Sequence, residues 1–248
     1  GVRFYTYVAT MRLAMEAAAE AHIKFIVLDR VNPIGGVAVE GPLLRGEETF
    51  IAWHSVPIRH GMTVGELAKM FREERHIDVD LTVIPLRRWK REQWQDDAGL
   101  PWVSPSPNMR SLAEAALYPG LGILETSISV GRGTPTPFEL AGAPYVEPER
   151  FVRELNTFKL PGIRFEPVRF TPSASVFAKK ECGGVRFTVT DRNAFQPVRT
   201  GIAIALALQR LYPNDFKFDD RLLRAPLQLD WSDDEHAFRE RRAKFLLY

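Results

Sequence analysis

The sequence is poor in the features that mark several common protein classes. It contains one cysteine, Cys182, so no internal disulfide can form, and the glycines that follow favour a small buried thiol over a nucleophile. No apolar run approaches the roughly 20 residues that cross a bilayer, and the first residues lack the pattern of a secretory leader. The formal net charge is +2 with both signs interspersed. We therefore expect no nucleic-acid partner and no membrane span.

Motifs for metals, cofactors and serine nucleophiles are also missing. The five histidines show no metal-ligand spacing; they are His22, His54, His60, His76 and His236. No Gly-x-Ser-x-Gly elbow occurs, and the Gly131-Arg132-Gly133 segment is not followed by the Lys-Ser/Thr pair of a phosphate-binding loop. We expect neither a metal nor a cofactor.

Strand-like and helix-like segments alternate in the first part of the chain. A helical pattern over residues 8–21 precedes the apolar run 25–28, which is typical of a strand buried on both faces. Thr63 and Glu66 have the spacing of a capping box and predict a helix to about residue 76. A second buried strand follows at 81–86. This order predicts an α/β fold with a Rossmann-like lobe built on a parallel sheet.

The rest of the chain is divided by a long segment without periodicity, residues 87–108, which predicts a functional or disordered loop. The other expected elements are strands at 50–53, 121–125, 165–170 and 185–190, and helices at 111–117, 148–157, 197–211 and from 232 onward. Ser232 and Glu235 repeat the capping-box spacing. The boundary near residues 105–111 predicts two lobes, 1–108 and 109–248.

Two loops rich in glycine and proline follow predicted strand ends. Asp29 and Arg30 open the loop 29–36, and Glu125 opens the loop 125–139. Ligands of parallel α/β sheets bind beyond the carboxyl ends of the strands, so both loops are candidates for a binding cleft. For Asp29 considered alone, the simpler explanation is that it caps a helix or pairs with Arg30. The presence of two such loops favours the cleft.

Individual side chains in these loops suit anion and sugar chemistry. Arg132 lies between two glycines, where its planar fork could bind a carboxylate. Glycoside hydrolysis normally uses two carboxylates, for which Glu125 and Glu139 lead, followed by Asp29 and Glu40.

His60 and the tryptophans permit both a functional and a structural explanation. His60 precedes the capped helix, where its neutral form is favoured, but a lone histidine is more often structural than catalytic. Trp89, Trp94 and Trp102 could serve as platforms for sugar rings, although core anchoring is the commoner role.

An ordered set of short motifs resembles one known family from the first residue to the last. The motifs are RFYTY (3–7), LDRVNPIGG (28–36), EGP (40–42), PIRHGMT (57–63), GLPWV (99–103), PSPNM (105–109), LYPG (117–120), GRGT (131–134), PFE (137–139), FTP (170–172) and FLLY (245–248). Together they resemble the NamZ-type exo-β-N-acetylmuramidases. Each motif alone is weak, whereas the ordered set is specific.

The resemblance implies a fold, an activity and a location. It implies a Rossmann-like lobe followed by a smaller α+β lobe, release of N-acetylmuramic acid from the non-reducing ends of peptidoglycan fragments, and a secreted or periplasmic protein. The expected catalytic residues are Glu125 and His60. The expected substrate-binding residues are Arg3, Tyr5, Tyr7, Asp29, Arg30, Asn32, Arg59, Asn108, Arg132 and Glu139.

The sequence departs from the family pattern at several points. The family carries a further N-terminal stretch with a Pro-Glu-His-Gly-like motif, so we expect an incomplete first lobe and a main catalytic carboxylate upstream of Gly1. Val130 stands where many relatives have glutamate, Val31 replaces a common proline, and the stretch between Leu223 and Trp231 is short. An incomplete parallel lobe would expose apolar surface, which predicts poor solubility of the 248 residues alone.

Three functions are compatible with the sequence. The first is a glycosidase in which Arg132 or Arg59 binds the lactyl carboxylate of muramic acid. The second is a glycan-binding protein or pseudoenzyme without turnover. The third, a nucleotide enzyme, rests on the parallel-sheet pattern alone and lacks a Gly-x-Gly-x-x-Gly motif after the first strand.

Overall fold

The computed structural model describes all residues from Gly1 to Tyr248. Its helices are α1 (Tyr7–Glu20), α2 (Val64–Glu74), α3 (Leu112–Leu121), α4 (Pro148–Thr157), α5 (Pro197–Leu211) and α6 (Ser232–Arg242). Its strands are β1 (Phe25–Leu28), β2 (Leu81–Ile84), β3 (Leu140–Ala143), β4 (Ile163–Phe170) and β5 (Cys182–Val189). Short 3₁₀ helices cover Gly122–Leu124 and Ala243–Phe245. None of the helices has the length and apolar character that crossing a bilayer requires.

The chain forms two compact units, Gly1–Pro101 with Trp231–Tyr248, and Trp102–Asp230. The predicted lobes 1–108 and 109–248 differ from these units at the C-terminus, because α6 packs with the first unit. Asp234 accepts a hydrogen bond from the Leu43 amide at 2.9 Å, and Arg242 donates to the Gly61 carbonyl at 2.7 Å. These long-range bonds are not visible in the local sequence pattern.

The first unit contains a β1-α2-β2 arrangement. β1 and β2 are parallel and in register from Phe25 opposite Leu81 to Leu28 opposite Ile84. Both bonds of the capping box that Thr63 and Glu66 predict are present at the start of α2. Val27 packs on one face of the sheet with core residues of α1 and α2 that include Met15, Met70 and Phe71. The parallel sheet and the capped helix are therefore confirmed.

The opposite face of this sheet is uncovered. Ile26 is 54% exposed, Leu28 is 69% exposed and Ile84 is 47% exposed. The prediction that the run 25–28 is buried on both faces was wrong, because the core that contains α1 and α2 covers only the face that carries Val27. Three apolar side chains on one open face give a physical basis for the solubility expectation, which stays a prediction.

The second unit is built on an antiparallel sheet with the strand order β3-β5-β4. Gly142 in β3 lies so close to β5 that a Cβ atom there would be 2.2 Å from the Gly183 carbonyl oxygen. Cys182 begins β5 as a free, buried thiol, and burial raises its pKa to about 11. The expectation of a small buried thiol is confirmed, and the raised pKa disfavours the thiolate that nucleophilic attack requires.

Three elements differ from the predictions. The predicted strand at 121–125 is the end of α3 followed by a 3₁₀ helix, and the predicted strand at 50–53 is a turn with an isolated bridge between Thr49 and Ala52. A short apolar run cannot distinguish a buried helix from a buried strand, which explains the first error. Trp231, not Ser232, is the N-cap residue of α6. Asp234 and Glu235, in the first turn of α6, accept hydrogen bonds from the backbone amides of Leu43 and Gly41.

The long segment between β2 and α3 contains no helix or strand, as expected. Trp89 is 7% exposed and Trp94 is 6% exposed, so both anchor this segment in the core. Trp102 is half-buried and donates its indole N–H to the Met109 carbonyl at 3.1 Å. The structural explanation therefore holds for Trp89 and Trp94.

Candidate substrate-recognition site

The carboxylate of Asp29 is fully engaged by its own protein. Its Oδ2 accepts hydrogen bonds from the Thr63 and Tyr248 hydroxyls, both at 2.7 Å. Its Oδ1 accepts from the Gly65 amide at 2.7 Å and from the Arg30 amide at 2.9 Å. Asp29 thus joins the end of β1 to the N-terminus of α2 and to the last residue of the chain. The helix-capping explanation accounts for Asp29 better than contact with a sugar.

Arg59 and Asn32 hold the loop 29–36 from inside. The Arg59 guanidinium donates to the Glu40 carboxylate at 2.6 Å and to the Ile34 carbonyl at 2.7 Å, and the residue is 3% exposed. Asn32 is 2% exposed and donates to the Met62 carbonyl at 3.2 Å. Both predicted substrate-binding residues therefore shape the loop, and neither presents its side chain at the surface.

His60 and Arg3 are buried in the same unit, each 2% exposed. His60 Nδ1 accepts from the Met62 amide at 3.1 Å, and burial lowers its pKa well below 6.5, with smaller contributions from the N-terminus and Arg242. The imidazole is therefore neutral, as predicted, although through burial. Arg3 donates to the Pro42 and Val56 carbonyls at 3.0 and 2.9 Å. These contacts give both residues structural roles.

The accessible members of the predicted set in the first unit are Arg30, Tyr5 and Tyr7. Arg30 is exposed, and no ion pair or hydrogen bond restrains its guanidinium. Tyr5 and Tyr7 pack edge to face with ring centroids 5.3 Å apart, and Tyr7 is 60% exposed. A cation and two aromatic rings are side chains that suit an anionic sugar.

In the second unit the structure pairs two predicted residues with each other. Arg132 donates to the Glu125 carboxylate at 2.5 Å and lies over the Phe138 ring, 5.3 Å from its centroid. Both charged side chains are partly exposed, at 28% and 22%. Glu125 therefore orients one edge of the guanidinium and is neutralised by it. This pairing favours a positioning role for Glu125 over the catalytic role that the sequence indicated.

The loop that carries Arg132 is closed by local bonds. Thr134 donates to the Gly131 carbonyl at 2.6 Å, and the Phe138 amide donates to the Val130 carbonyl at 2.8 Å. Gly131 has a φ of +73°, a conformation that L side chains rarely adopt. The loop is therefore a defined turn, as expected of a preorganised recognition element.

Glu139 follows this turn and differs from the other carboxylates. Burial raises its pKa, the nearby Glu114 raises it further, and Arg186 and Arg110 oppose the shift. Glu114 itself is 3% exposed and forms a capping box with Ser111 at the start of α3. No hydrogen bond or ion pair engages the Glu139 side chain. It is the half-buried carboxyl of the predicted set that remains available to a ligand.

Several residues that contact or lie near the predicted site residues were not predicted from the sequence. Arg186, Arg110 and Glu114 surround Glu139, and the Ser-x-x-Glu spacing at Ser111 was a readable sign of the last. Tyr248 had no local sign, because its partner Asp29 is 219 positions away. The predicted residue Asn108 is half-buried. No group of three or more His, Cys, Asp or Glu side chains in the chain is arranged to hold a metal ion.

Comparison with known protein families gives two adjoining matches. Residues 1–113 match the model described as "Exo-beta-N-acetylmuramidase NamZ, N-terminal", and residues 116–229 match the corresponding C-terminal model. The two matches follow one another along the chain and together span most of it. The chain belongs to the NamZ exo-β-N-acetylmuramidase family.

Individual relatives agree with this assignment. The chain is 48% identical over 220 residues to the peptidoglycan β-N-acetylmuramidase NamZ of Bacillus subtilis strain 168. The aligned region covers 88% of this chain and 53% of that protein. The chain therefore spans about half the length of the curated relative it matches.

Two solved structures from Bacteroides fragilis NCTC 9343, both of DUF1343 family proteins, are similar over 100% of this chain and 72% of theirs. One has a TM-score of 0.92 at 32% identity, and the other has a TM-score of 0.79 at 28% identity.

Proposed function

We propose that this chain belongs to a glycoside hydrolase that releases N-acetylmuramic acid from the non-reducing ends of peptidoglycan fragments. The observation that carries the proposal is the family match across both domains, together with 48% identity to a peptidoglycan β-N-acetylmuramidase. The accessible residues of the site are compatible with this substrate. N-acetylmuramic acid combines a sugar ring, which packs well on aromatic side chains, with a lactyl carboxylate, which binds a cation.

The structure divides the predicted residues by role. We propose that Arg132 binds the lactyl carboxylate, because its guanidinium is held by Glu125 and remains partly exposed. A fixed guanidinium can donate two parallel hydrogen bonds to a carboxylate. We also propose that Asn108 and Glu139, which belong to the same unit as Arg132, contact the sugar. In the first unit, Arg30, Tyr5 and Tyr7 are the accessible side chains of the predicted set, and we propose that the buried predicted residues act as scaffold.

A second candidate function is recognition without turnover by these 248 residues. Two observations favour it. Glu125 is neutralised by Arg132, and His60 is 2% exposed, so neither predicted catalytic residue is a free acid or base at the surface. The chain also spans 53% of its curated relative. Under this proposal the chain binds muramic acid, while the group that breaks the glycosidic bond lies in additional sequence.

One experiment separates the two functions. Titration calorimetry compares N-acetylmuramic acid with N-acetylglucosamine, the matched sugar without a lactyl group, and a chromogenic muramic-acid glycoside reports hydrolysis. We expect muramic acid to bind at least about tenfold more tightly, since a charge-assisted contact contributes about 1.5–3 kcal/mol. Release of the chromophore supports the hydrolase, and binding without release supports recognition alone. If the chain neither binds muramic acid nor releases the chromophore, both proposals are contradicted.

The role of Arg132 is tested by a conservative substitution. Arg132→Lys keeps the charge but loses the planar fork, so we expect the preference for muramic acid to fall about tenfold. Arg164→Lys is the matched control, because Arg164 is exposed on β4 and pairs only with Glu166. Equal affinities of the two variants would remove Arg132 from the binding site.

We further propose that the first unit is a Rossmann-like lobe and that the protein acts outside the cytoplasm. The parallel β1-α2-β2 arrangement supports the first statement, and the cell-wall substrate named for the B. subtilis relative supports the second. Fractionation of cells that express the native gene tests the location. Recovery of the protein only with cytosolic markers would contradict it.

A further inference from the structure

A groove of about 680 Å³ in the first unit lies apart from the proposed recognition residues. It is lined by α2, by β2 and by the C-terminal segment. The lining residues that matter here are Lys69, Arg72, Leu81, Val83, Lys244 and Phe245. None of these residues belongs to the predicted site, so the groove needs a separate explanation.

The main chain of β2 is unpaired along this groove. β2 pairs with β1 on one edge only. The Phe25 amide donates to the Asp80 carbonyl at 2.9 Å, and the Asp29 amide donates to the Ile84 carbonyl at 3.0 Å. Because main-chain groups of successive strand residues point to opposite edges, the amides and carbonyls of Leu81 and Val83 point away from β1. An unpaired edge of this kind is a template for another strand.

Some of the charged side chains around the groove form ion pairs and others do not. Lys69 and Arg72 lie three residues apart on α2, and the side chain of neither makes an ion pair or hydrogen bond. Lys244 pairs with Glu73 at 2.5 Å, which neutralises one lining carboxylate and leaves only Asp78 as an unpaired acid. The groove therefore offers two free cations beside an unpaired strand edge and apolar side chains.

We propose that the outer edge of β2 binds an extended, acidic peptide from another protein as an added strand. The peptide main chain pairs with Leu81 and Val83, its alternate apolar side chains pack on the partly exposed Leu247, and its carboxylates contact Lys69 and Arg72. Strand addition of this kind takes affinity from main-chain bonds and specificity from side chains on alternate positions. The inference goes beyond sugar hydrolysis and is independent of it.

A synthetic heptapeptide that alternates valine with glutamate is the probe. Its affinity for the 248-residue chain is compared by calorimetry with a matched peptide that alternates valine with lysine. We expect the acidic peptide to bind at least tenfold more tightly. In the double variant Lys69→Glu with Arg72→Glu, we expect this preference to reverse. Lys217→Glu, an exposed control in the second unit, should leave the preference unchanged.

Amide hydrogen exchange in the unmutated chain locates the contact, and its result does not depend on whether the variants fold. The acidic peptide should slow exchange of the Leu81 and Val83 amides at least tenfold and leave the Thr82 and Ile84 amides, which face β1, unchanged. Equal binding of both peptides, or no change at Leu81 and Val83, would overturn the proposal. Protection that rises with chain concentration in the absence of peptide would also overturn it, because a second copy of the chain would then occupy the edge.

Discussion

The loops 29–36 and 125–139 look alike in sequence but differ in how their charges are used. Each opens with an acidic residue and contains an arginine, glycines and a proline. In the first loop Asp29 accepts four hydrogen bonds from the protein. In the second, Arg132 is partly exposed and Glu139 has no side-chain partner. The first loop is scaffold and the second retains groups for a ligand.

The difference teaches that charge density alone does not identify a recognition loop. A buried carboxylate that accepts several bonds stabilises the fold through them, and a ligand would have to displace those bonds. A half-buried carboxyl without a partner costs desolvation in the free protein, and only a ligand or a proton relieves it. Saturation of hydrogen-bonding capacity therefore separates the two loops more clearly than their residue types do.

The largest expected effect is the loss of the Asp29 carboxylate. Asp29→Ala leaves the Thr63 and Tyr248 hydroxyls and the Gly65 amide without their acceptor, so we expect the free energy of unfolding to fall by about 3–5 kcal/mol. Chemical denaturation with a fluorescence readout measures the change. Glu139→Ala is the matched control and should cost less than about 1 kcal/mol. Equal losses at the two positions would erase the distinction between the loops.

Acidification should lower the stability contributed by the buried histidines His54 and His60 and raise the stability contributed by Glu139. Burial lowers the pKa values of His54 and His60 below 6.5, so their contribution to stability is present above pH 6.5 and is lost as pH falls further. Each histidine can cost up to about 1.4 kcal/mol per pH unit. The pKa of Glu139 is raised, so its contribution is present at low pH and is lost as pH rises through the raised value.

Denaturation at a series of pH values tests the histidine part of this prediction. His60→Gln should flatten the decline of the unfolding free energy below pH 6.5, because the buried proton acceptor has been removed. The exposed His236 pairs only with Glu240, so His236→Gln should leave the slope unchanged. A slope that both substitutions alter alike would show that surface charge, not burial, sets the acid sensitivity.

A smaller effect is expected at the C-terminal tyrosine. The Tyr248 hydroxyl donates to Asp29 and accepts from the Leu86 amide, both at 2.7 Å. Tyr248→Phe removes both bonds and should cost about 1–2 kcal/mol by thermal unfolding. Tyr145→Phe serves as control, because no hydrogen bond is formed by the Tyr145 hydroxyl. A neutral result at Tyr248 would show that Asp29 does not depend on the chain end.

The smallest effect is expected at Glu139. Glu139→Gln removes a charge that burial disfavours, so we expect stability at pH 7 to stay within about 0.5 kcal/mol of the parent or to rise slightly. If Glu139 contacts the sugar, the same substitution should still weaken binding of N-acetylmuramic acid in calorimetry. A large loss of stability would move Glu139 into the scaffold class with Asp29.

Parts of the fold could be read from local sequence. The capping box at Thr63, the apolar run that forms β1, and Pro148 at the start of α4 each specify an element through neighbouring residues. The strand predicted at 121–125 failed, because a short apolar run fits a buried helix equally well. Helices with a capping box or an N-terminal proline were predicted correctly, whereas apolar runs alone gave one correct strand, β1, and one wrong strand, 121–125.

The candidate site was predictable as a set of loops but not as a set of roles. The sequence placed Asp29, Arg59, His60, Arg132 and Glu139 in one candidate set, although it favoured a structural explanation for Asp29 alone and for His60. Whether each is buried depends on partners far along the chain: Tyr248 lies 219 positions from Asp29, and Arg242 lies 182 positions from His60. Such partners leave no local pattern, so scaffold and recognition residues looked equivalent.

The sequence by itself determined the family, the parallel β1-α2-β2 order and the two loops, because these depend on ordered motifs and on interactions between near neighbours. Only the tertiary structure decided which charges are available to a ligand, since hydrogen-bond saturation and burial arise when distant segments meet. It also decided that one face of the parallel sheet and one edge of β2 remain uncovered, because a strand pattern does not specify what packs beside it.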